Sequence, residues 1–334
     1  MRARREDVSD SLVPALDLTG HRQGLASATK QLAQQIDWAC REIGFLNIAG
    51  HGVSEALIRE MYDVSLAFFD LPLEEKLQSS GDPARNTRGY HPIGGQTLSY
   101  SLDRESPPDL FEALSVADIS SPVSQRGIRN VWPTRPAELR QVWTSYWYEM
   151  ERLAQDISHL LALALDLDET FFDKWTRDHN STLRANHYPS QPQHPAAGQL
   201  RAGAHSDYGD FSLLYRDAQP GGLQVQTRSG EWQDVAVIPN TFVVNLGDLL
   251  ARWTNDRWIS TMHRVVNPPR DRASDSRRLS IIFFHQPALD AVIECIPSCQ
   301  DATNPAKYAP ITSGEFVRSK LLKTIDQGRA TAAS

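Results

Sequence analysis

The chain reads LRANHYP over residues 183–189, and here its hydrophobic period changes from helical to strand-like. Further short strand-like segments are predicted at 211–215, 223–227, 232–237, 241–245, 261–266 and 279–285. Turn-forming pairs such as Ser229-Gly230 and Pro268-Pro269 separate most of these segments. Many short strands at this spacing predict a β-sandwich or a jelly roll.

Helices dominate the prediction for the part of the chain before this region. Apolar residues predict helices over 25–41, 55–69 and 136–165, with short strands at 13–18 and 44–48. The stretch 79–106 is rich in Gly, Pro, Ser and Asn, and is predicted to be a loop that borders a binding site.

These patterns together predict an α+β fold dominated by a β core. The core is expected to be a double-stranded β-helix, or jelly roll, with buttressing N-terminal and central helices. One integrated domain is expected, with an N-terminal helical and strand segment at 1–110 and a central linker and long helix at 111–180. The jelly-roll core is expected at 181–290 and a C-terminal segment at 291–334.

The composition argues against several classes of partner. The 41 acidic and 34 basic residues give a formal charge of −7, which is unlike a protein that neutralises nucleic-acid phosphates. No apolar window is long enough to cross a bilayer. Three cysteines make a sparse set that fits a reducing cytoplasm. We therefore expect a cytoplasmic protein with a small-molecule substrate and neither a nucleic-acid nor a membrane partner; the oligomeric state stays open.

Two histidines and an aspartate form a candidate metal site. His205 and Asp207 are two residues apart, so on a strand both side chains would project from the same face. His263 lies in a later predicted strand. Two imidazoles and one carboxylate that leave coordination positions open are typical of non-haem Fe(II) oxygenases. A zinc hydrolase could use the same three residues, but it would offer no obvious general base.

Short motifs follow one another in a fixed order along nearly the whole chain. The first half contains GFLNIAGHGV (44–53), FFDLP (68–72) and RGY (88–90). The second half contains NHYP (186–189), HSDYG (205–209), GGLQV (221–225), NLGD (245–248), HRVVNP (263–268) and RLS (278–280). In this order and spacing the motifs resemble the isopenicillin N synthase-like branch of the 2-oxoglutarate/Fe(II)-dependent dioxygenase superfamily.

The resemblance implies roles for seven residues. His205, Asp207 and His263 match the ligands of the catalytic iron. Arg278 and Ser280 match the pair that binds the distal carboxylate of 2-oxoglutarate, and Tyr188 and Asn186 match residues near that co-substrate. The assignment is physically reasonable, because alternate strand residues share a face and a guanidinium with a hydroxyl suits a carboxylate.

The resemblance also implies an activity. It predicts an Fe(II)-dependent dioxygenase with 2-oxoglutarate and O2 as co-substrates, which releases succinate and CO2. Its substrate is expected to be a small organic metabolite of secondary metabolism that is hydroxylated, desaturated or cyclised. From their positions relative to the motifs, five residues are expected to line the substrate pocket: Arg88, Tyr90, Tyr208, Leu223 and Phe284. Arg184 could face the site or brace a loop, and bracing is favoured.

Two alternatives on the same fold stay open at this point. One is an Fe(II) oxidase of the isopenicillin N synthase type, which retains the Arg-x-Ser motif but needs no 2-oxoglutarate. The other is an inactive binding protein, although such a protein would have no need to keep all five of the ligand and anchor residues.

Overall fold

The computed structural model describes residues 12–82, 87–95, 97–99, 106–117, 119, 129–219 and 222–320. An eight-stranded sheet forms its centre, with the strands in the order β1-β2-β12-β9-β14-β7-β5-β4. Its members are β1 (Ala15–Asp17), β2 (Phe45–Ala49), β4 (Tyr90–His91), β5 (Glu112–Ala117), β7 (Thr182–Tyr188), β9 (Phe211–Arg216), β12 (Phe242–Leu246) and β14 (Arg278–His285).

A four-stranded sheet in the order β11-β10-β13-β8 faces the large sheet and completes the roll. It contains β8 (Ala202–His205), β10 (Leu223–Gln226), β11 (Trp232–Asp234) and β13 (His263–Val265). Two small pairs lie outside these sheets: β3 (Thr87–Arg88) with β6 (Arg129–Asn130), and β15 (Val292–Ile293) with β16 (Ile311–Thr312).

Helices cover the outer face of the large sheet. The helices are α1 (Thr19–Arg22), α2 (Ala26–Glu42), α3 (Glu55–Phe69), α4 (Leu73–Leu77), α5 (Leu139–Ala164), α6 (Asp173–Thr176) and α7 (Asp248–Trp253), and residues 313–320 are also helical. Of these, α2, α3 and α5 make most of the contact with the strands of the large sheet. Trp147 of α5 packs edge-on against Phe283 of β14, with 5.1 Å between the ring centroids. The predicted α+β fold with a β core and buttressing helices is confirmed. Among the described helices, none is both long and apolar enough to cross a bilayer.

The main difference from the predicted elements is β5. All six of its residues are buried, so the strand shows no alternation of apolar and polar residues that the sequence could reveal. Glu112 and Ser115 make the strand still harder to recognise from the sequence, because polar side chains are unusual in a buried strand. A second difference concerns Asp207, which lies just beyond the end of β8 and not on the strand itself.

The register of the large sheet separates an interior face from a helix-covered face. Residues directly opposite each other on neighbouring strands share a face. Leu279, Ile281 and Phe283 of β14 pack into the helix-covered core, so the alternate residues face the interior. Three interior rows run across β9, β14, β7 and β5, and each row contains one residue from each of these strands, in that order. The first row is Ser212, Phe284, Thr182 and Ala117; the second is Leu214, Ile282, Arg184 and Ser115; and the third is Arg216, Ser280, Asn186 and Ala113.

Candidate metal centre

Three side chains converge inside the roll. His205 ends β8 and His263 begins β13, and the register pairs the two residues directly. Asp207 approaches both, with its Oδ1 3.9 Å from Nε2 of His205 and 3.8 Å from Nε2 of His263. One potential ligand atom from each residue lies within 4.8 Å of the others, close enough to hold a single ion.

Hydrogen bonds orient each of these side chains towards a common point. Nδ1 of His205 lies 2.8 Å from the Gly203 carbonyl oxygen, and Nδ1 of His263 lies 3.1 Å from that of Thr261. A carbonyl only accepts, so each Nδ1 carries the proton and each Nε2 presents its lone pair.

The carboxylate of Asp207 is fixed in the same manner from the large sheet. Its Oδ2 accepts hydrogen bonds from the Ser212 hydroxyl and from Nδ2 of Asn245, each at 2.6 Å. Ser212 and Asn245 are directly paired on β9 and β12. Their two donors leave Oδ1 as the oxygen directed at the histidines.

The electrostatics suit a divalent cation. Burial and the neighbouring His263 imidazole lower the pKa of His205 to about 4, so the ring is neutral at pH 7. Burial by itself would raise the pKa of Asp207, but the two imidazoles and the donors from Ser212 and Asn245 outweigh it and lower the pKa. A neutral imidazole and an ionised carboxylate are the forms that bind metal.

A second group of polar side chains lies on the same interior face. Arg278 is directly opposite Tyr188, and Ser280 is directly opposite Asn186, so the four form a compact patch. The Arg278 side chain is only 2% exposed, and its Nε lies 3.8 Å from Oδ1 of Asp217. A buried guanidinium beside a hydroxyl, a phenol and an amide fits the terminal carboxylate of a dicarboxylic acid.

The two groups together define a class of protein. Two imidazoles and one carboxylate on one side of an ion form a facial triad, which is typical of mononuclear non-haem Fe(II) oxygenases. The patch around Arg278 supplies an adjacent anchor for an acidic co-substrate inside the same roll.

Comparison with known proteins agrees with this class. Residues 179–287 match the model of the 2OG-Fe(II) oxygenase superfamily, and residues 13–135 match that of the non-haem dioxygenase in morphine synthesis N-terminal domain. The "2-oxoglutarate-Fe(II) type oxidoreductase hxnY" of Emericella nidulans is 35% identical, over 96% of this chain and 91% of the relative. The chain therefore belongs to the 2OG-Fe(II) oxygenase superfamily, as its motifs predict.

Two further relatives have a name or a title that mentions a small molecule. A homoarginine-6-hydroxylase of Oryza sativa subsp. japonica is 33% identical, over 87% of this chain and 89% of that protein. A Neurospora crassa protein solved in complex with alpha-KG and thymine superposes with a TM-score of 0.84 at 31% identity, over 93% of this chain and 97% of that chain. Like its relatives, the chain is an oxidoreductase that uses Fe(II) and 2-oxoglutarate, and the zinc hydrolase and the inactive protein are not supported.

The structure places two of the five predicted pocket residues on the interior face of the roll and leaves two more half-buried. Phe284 shares the interior row of Ser212 and is half-buried, as are Tyr208 and Arg88. Leu223 shares the interior face of His263 through the pairing of β10 with β13, but it is almost fully buried in a hydrophobic cluster with Val225.

The prediction for Tyr90 is wrong. Tyr90 is paired with Leu114, so it projects to the helix-covered face, where its hydroxyl donates to Oε2 of Glu112 at 2.5 Å. The neighbouring His91 is paired with Ala113 and takes the interior position instead. The two-residue strand β4 follows Gly89 and is too short for the sequence to show which residue points inwards.

Several residues of the site were missed by sequence reasoning. Ser212 and Asn245 hold Asp207, Asp217 contacts Arg278, and His91 lies on the interior face. Arg184 also lies on the interior face, whereas bracing of a loop was the favoured expectation from the sequence. The alternation of β7 could have revealed Arg184, because it precedes Asn186 by two residues. No local signal marks Ser212, since its role depends on which strands are neighbours.

Proposed function

We propose that His205, Asp207 and His263 hold the catalytic Fe(II). The observation that carries this assignment is the convergence of the three ligand atoms within 4.8 Å inside the roll. We further propose that 2-oxoglutarate is bound by the neighbouring patch, with Arg278 and Ser280 on its distal carboxylate and with Tyr188 and Asn186 beside it. These four share the interior face with the residues that orient the metal ligands.

The residues around the centre orient the reactants and exclude water. Bound Fe(II) and 2-oxoglutarate supply the activation of O2, which yields succinate, CO2 and an oxidised substrate. Arg278 neutralises a carboxylate in a buried position, so the co-substrate is held in one orientation. Ser212 and Asn245 hold the Asp207 carboxylate in place, and the carbonyl partners of the histidines fix their tautomers.

The substrate is proposed to be a small organic metabolite of secondary metabolism, which the enzyme hydroxylates, desaturates or cyclises. Arg88, Tyr208, Leu223 and Phe284 are proposed to line its pocket. A relative named as a homoarginine hydroxylase and a relative solved with thymine bound both support a small molecule. Three free cysteines support a reducing compartment such as the cytoplasm. Strands from the N-terminal, central and core segments share one sheet, which supports a single integrated domain.

The proposed function has a direct spectroscopic test. Fe(II) and 2-oxoglutarate added to the protein without oxygen are expected to produce a weak visible charge-transfer band. When O2 and an accepted substrate are then admitted, succinate is expected in equal amount to the oxidised product. Product formed without succinate would indicate the co-substrate-independent oxidase, and the absence of both band and succinate would contradict the proposal.

Asn245 is expected to set the affinity of the site for iron. Asn245→Ala removes a hydrogen bond of 2.6 Å from a buried carboxylate, so Asp207 loses part of its orientation. The loss of a residue that hydrogen-bonds to a metal ligand typically weakens metal binding by about 10–100-fold. Anaerobic titration with Fe(II) measures the change.

Ser206→Ala is the matched control for this experiment. Ser206 lies between two of the proposed ligands, but its hydroxyl donates to Asp248 and not to Asp207. Its substitution is expected to leave iron affinity nearly unchanged. Equal iron affinities for the two variants would show that Asn245 does not position the carboxylate.

A further inference from the structure

A carboxylate lies against Arg278, the proposed anchor of the co-substrate. Asp217 directly follows β9, and its Oδ1 is 3.8 Å from Nε of Arg278. The Arg278 guanidinium also lies 5.8 Å from the centre of the Tyr188 ring. A planar guanidinium that contacts both a carboxylate and an aromatic ring is restricted in its orientation.

Asp217 also binds the backbone of β14 at the same place. The register pairs Arg216 of β9 with Ser280 of β14, so the next residue of each strand is Asp217 and Leu279. The backbone N–H of Leu279 donates to Oδ2 of Asp217 at 2.8 Å. Because Leu279 directly follows Arg278, this bond fixes the backbone from which the anchor projects.

A tyrosine from helix α3 orients the Asp217 carboxylate. The hydroxyl of Tyr62 donates to the same Oδ2 at 2.8 Å. Burial and then the negative charge of Asp217 raise the pKa of Tyr62, so its phenol is protonated and can donate at neutral pH. Oδ1 accepts from the backbone N–H of Gln219 at 3.2 Å, and it is the oxygen that faces Arg278.

The charge of Asp217 by itself opposes the binding of a dicarboxylate. A carboxylate beside Arg278 repels the distal carboxylate of 2-oxoglutarate and offsets part of the attraction of the guanidinium. Holding the guanidinium in one orientation acts in the other direction, because less rotamer entropy is lost when the co-substrate binds. The two effects have opposite signs, so an experiment can separate them.

We propose that Asp217 and Tyr62 are positioning residues for the co-substrate. Tyr62 orients Asp217, and Asp217 holds Arg278 in the orientation that binds the distal carboxylate of 2-oxoglutarate. This inference rests on the proposed function, since that function assigns Arg278 to this carboxylate. It makes α3 part of the co-substrate site, although Tyr62 packs against the helix-covered core outside the roll.

Two 2-oxo acids distinguish a positioning role from general damage to the site. 2-Oxopentanoate has the chain of 2-oxoglutarate without its distal carboxylate, so only 2-oxoglutarate can use Arg278. Binding of each acid to the anaerobic Fe(II) enzyme is measured by titration of the charge-transfer band. Where 2-oxopentanoate gives no band, its binding is measured by competition with 2-oxoglutarate.

Asp217→Asn is expected to weaken the binding of 2-oxoglutarate about tenfold. The new amide keeps an oxygen for the Tyr62 hydroxyl and the Leu279 N–H, so the variant loses the charge that holds Arg278 while the strand stays in place. Binding of 2-oxopentanoate and of Fe(II) should match the wild type. The KM for 2-oxoglutarate should rise, while kcat at saturating 2-oxoglutarate is retained.

Tyr62→Phe is expected to weaken 2-oxoglutarate binding by about 2–10-fold, with the same selectivity, because it removes one neutral donor from Asp217. Tyr215→Phe is the matched control. Tyr215 lines the same cavity of about 220 Å³ as Tyr62 and Asp217, but among the described residues its hydroxyl is not a partner of Asp217. Its substitution should leave the affinity for both acids unchanged.

The sign of the change in Asp217→Asn decides the proposal. Unchanged or tighter binding of 2-oxoglutarate would overturn it, because Asp217 would then act only as a repelling charge, and unchanged binding in Tyr62→Phe would refute the part assigned to Tyr62. Equal weakening of both acids, a loss of iron affinity, or the same loss in Tyr215→Phe would also contradict it. In each case the wild type still forms the band and succinate; a wild type that forms neither would contradict the proposed function itself.

Discussion

His263→Ala is expected to abolish turnover and to leave no stoichiometric Fe(II) site. The substitution removes one of three proposed protein ligands, and the Nε2 of His205 and Oδ1 of Asp207 that remain are 3.9 Å apart. Loss of an outer hydrogen-bond partner already weakens metal sites about 10–100-fold, so loss of a ligand should exceed that range. Iron titration and succinate formation measure the two effects.

The fold should survive this substitution, which makes the result interpretable. His263 begins a three-residue strand and packs edge-on against Phe45, and the backbone pairing with β8 does not need its ring. Circular dichroism checks this point. His194→Ala is the control, because His194 is exposed on a loop and should be dispensable. Full activity in His263→Ala would refute the ligand assignment.

Lys76→Met is expected to lower the free energy of unfolding by about 3–5 kcal/mol, because it leaves a buried carboxylate without its cation. Lys76 of α4 contacts Glu112 of β5 at 2.7 Å, and their side chains are 10% and 4% exposed. Glu112 also accepts from Tyr90 and lies 2.8 Å from Nδ1 of His187. Denaturant unfolding of the wild type and the variant measures the difference.

The same group makes stability dependent on pH. Burial by itself would raise the pKa of Glu112, but His187, Lys76 and Tyr90 outweigh it, so the pKa lies below its usual value of 4.5. The unfolded state therefore binds a proton more readily than the folded state. This contribution is fully present above pH 4.5 and is lost as the pH falls further. In Lys76→Met, the free energy of unfolding should fall less steeply as the pH decreases, because Glu112 no longer has the Lys76 cation that helps to lower its pKa.

A surface ion pair provides the control for Lys76. Arg135 and Glu75 are 3.1 Å apart, but their side chains are 66% and 35% exposed. Arg135→Met is expected to change the unfolding free energy by only about 0–1 kcal/mol. If Lys76→Met and Arg135→Met lower the free energy of unfolding by the same amount, burial does not explain the contribution of the Lys76–Glu112 pair to stability.

The buried pair also connects the N-terminal helices to the site. His187 accepts a hydrogen bond from Nε of Arg277 at 2.8 Å, and Arg277 also pairs with Asp70 at 2.7 Å. Arg277 directly precedes Arg278, where β14 begins. The FFDLP motif (68–72) and the helix α4 that follows it therefore contribute to holding the strand that carries the proposed co-substrate anchor.

The family and the candidate metal ligands could be predicted from sequence because their signals are local. His205 and Asp207 are only two residues apart, and Arg278 and Ser280 alternate on one strand, so each pair is close in the sequence even though Asp207 lies just beyond β8. The helix at Glu55–Phe69 was predicted at its observed bounds for the same reason, since apolar spacing is a property of neighbouring residues.

Positions that depend on which strands are neighbours were beyond the sequence. The hydrogen bonds of Asp207 come from Ser212 and Asn245, which meet because β9 and β12 pair in the large sheet. The register of β4 with β5 decides that His91 faces the interior and that Tyr90 faces the helices. Strand β5 itself has no alternation to detect, because helices cover one of its faces and the roll covers the other.

The sequence by itself thus determined the chemistry of the site: which residue types could bind a metal and a dicarboxylate, and in which class of fold. Only the tertiary structure decided which side chains face the interior of the roll, because the face that Arg184 takes is set by the pairing of β7 with β14 and β5. Hydrogen bonding between strands is non-local, so a residue's face and neighbours appear only when the sheet is assembled.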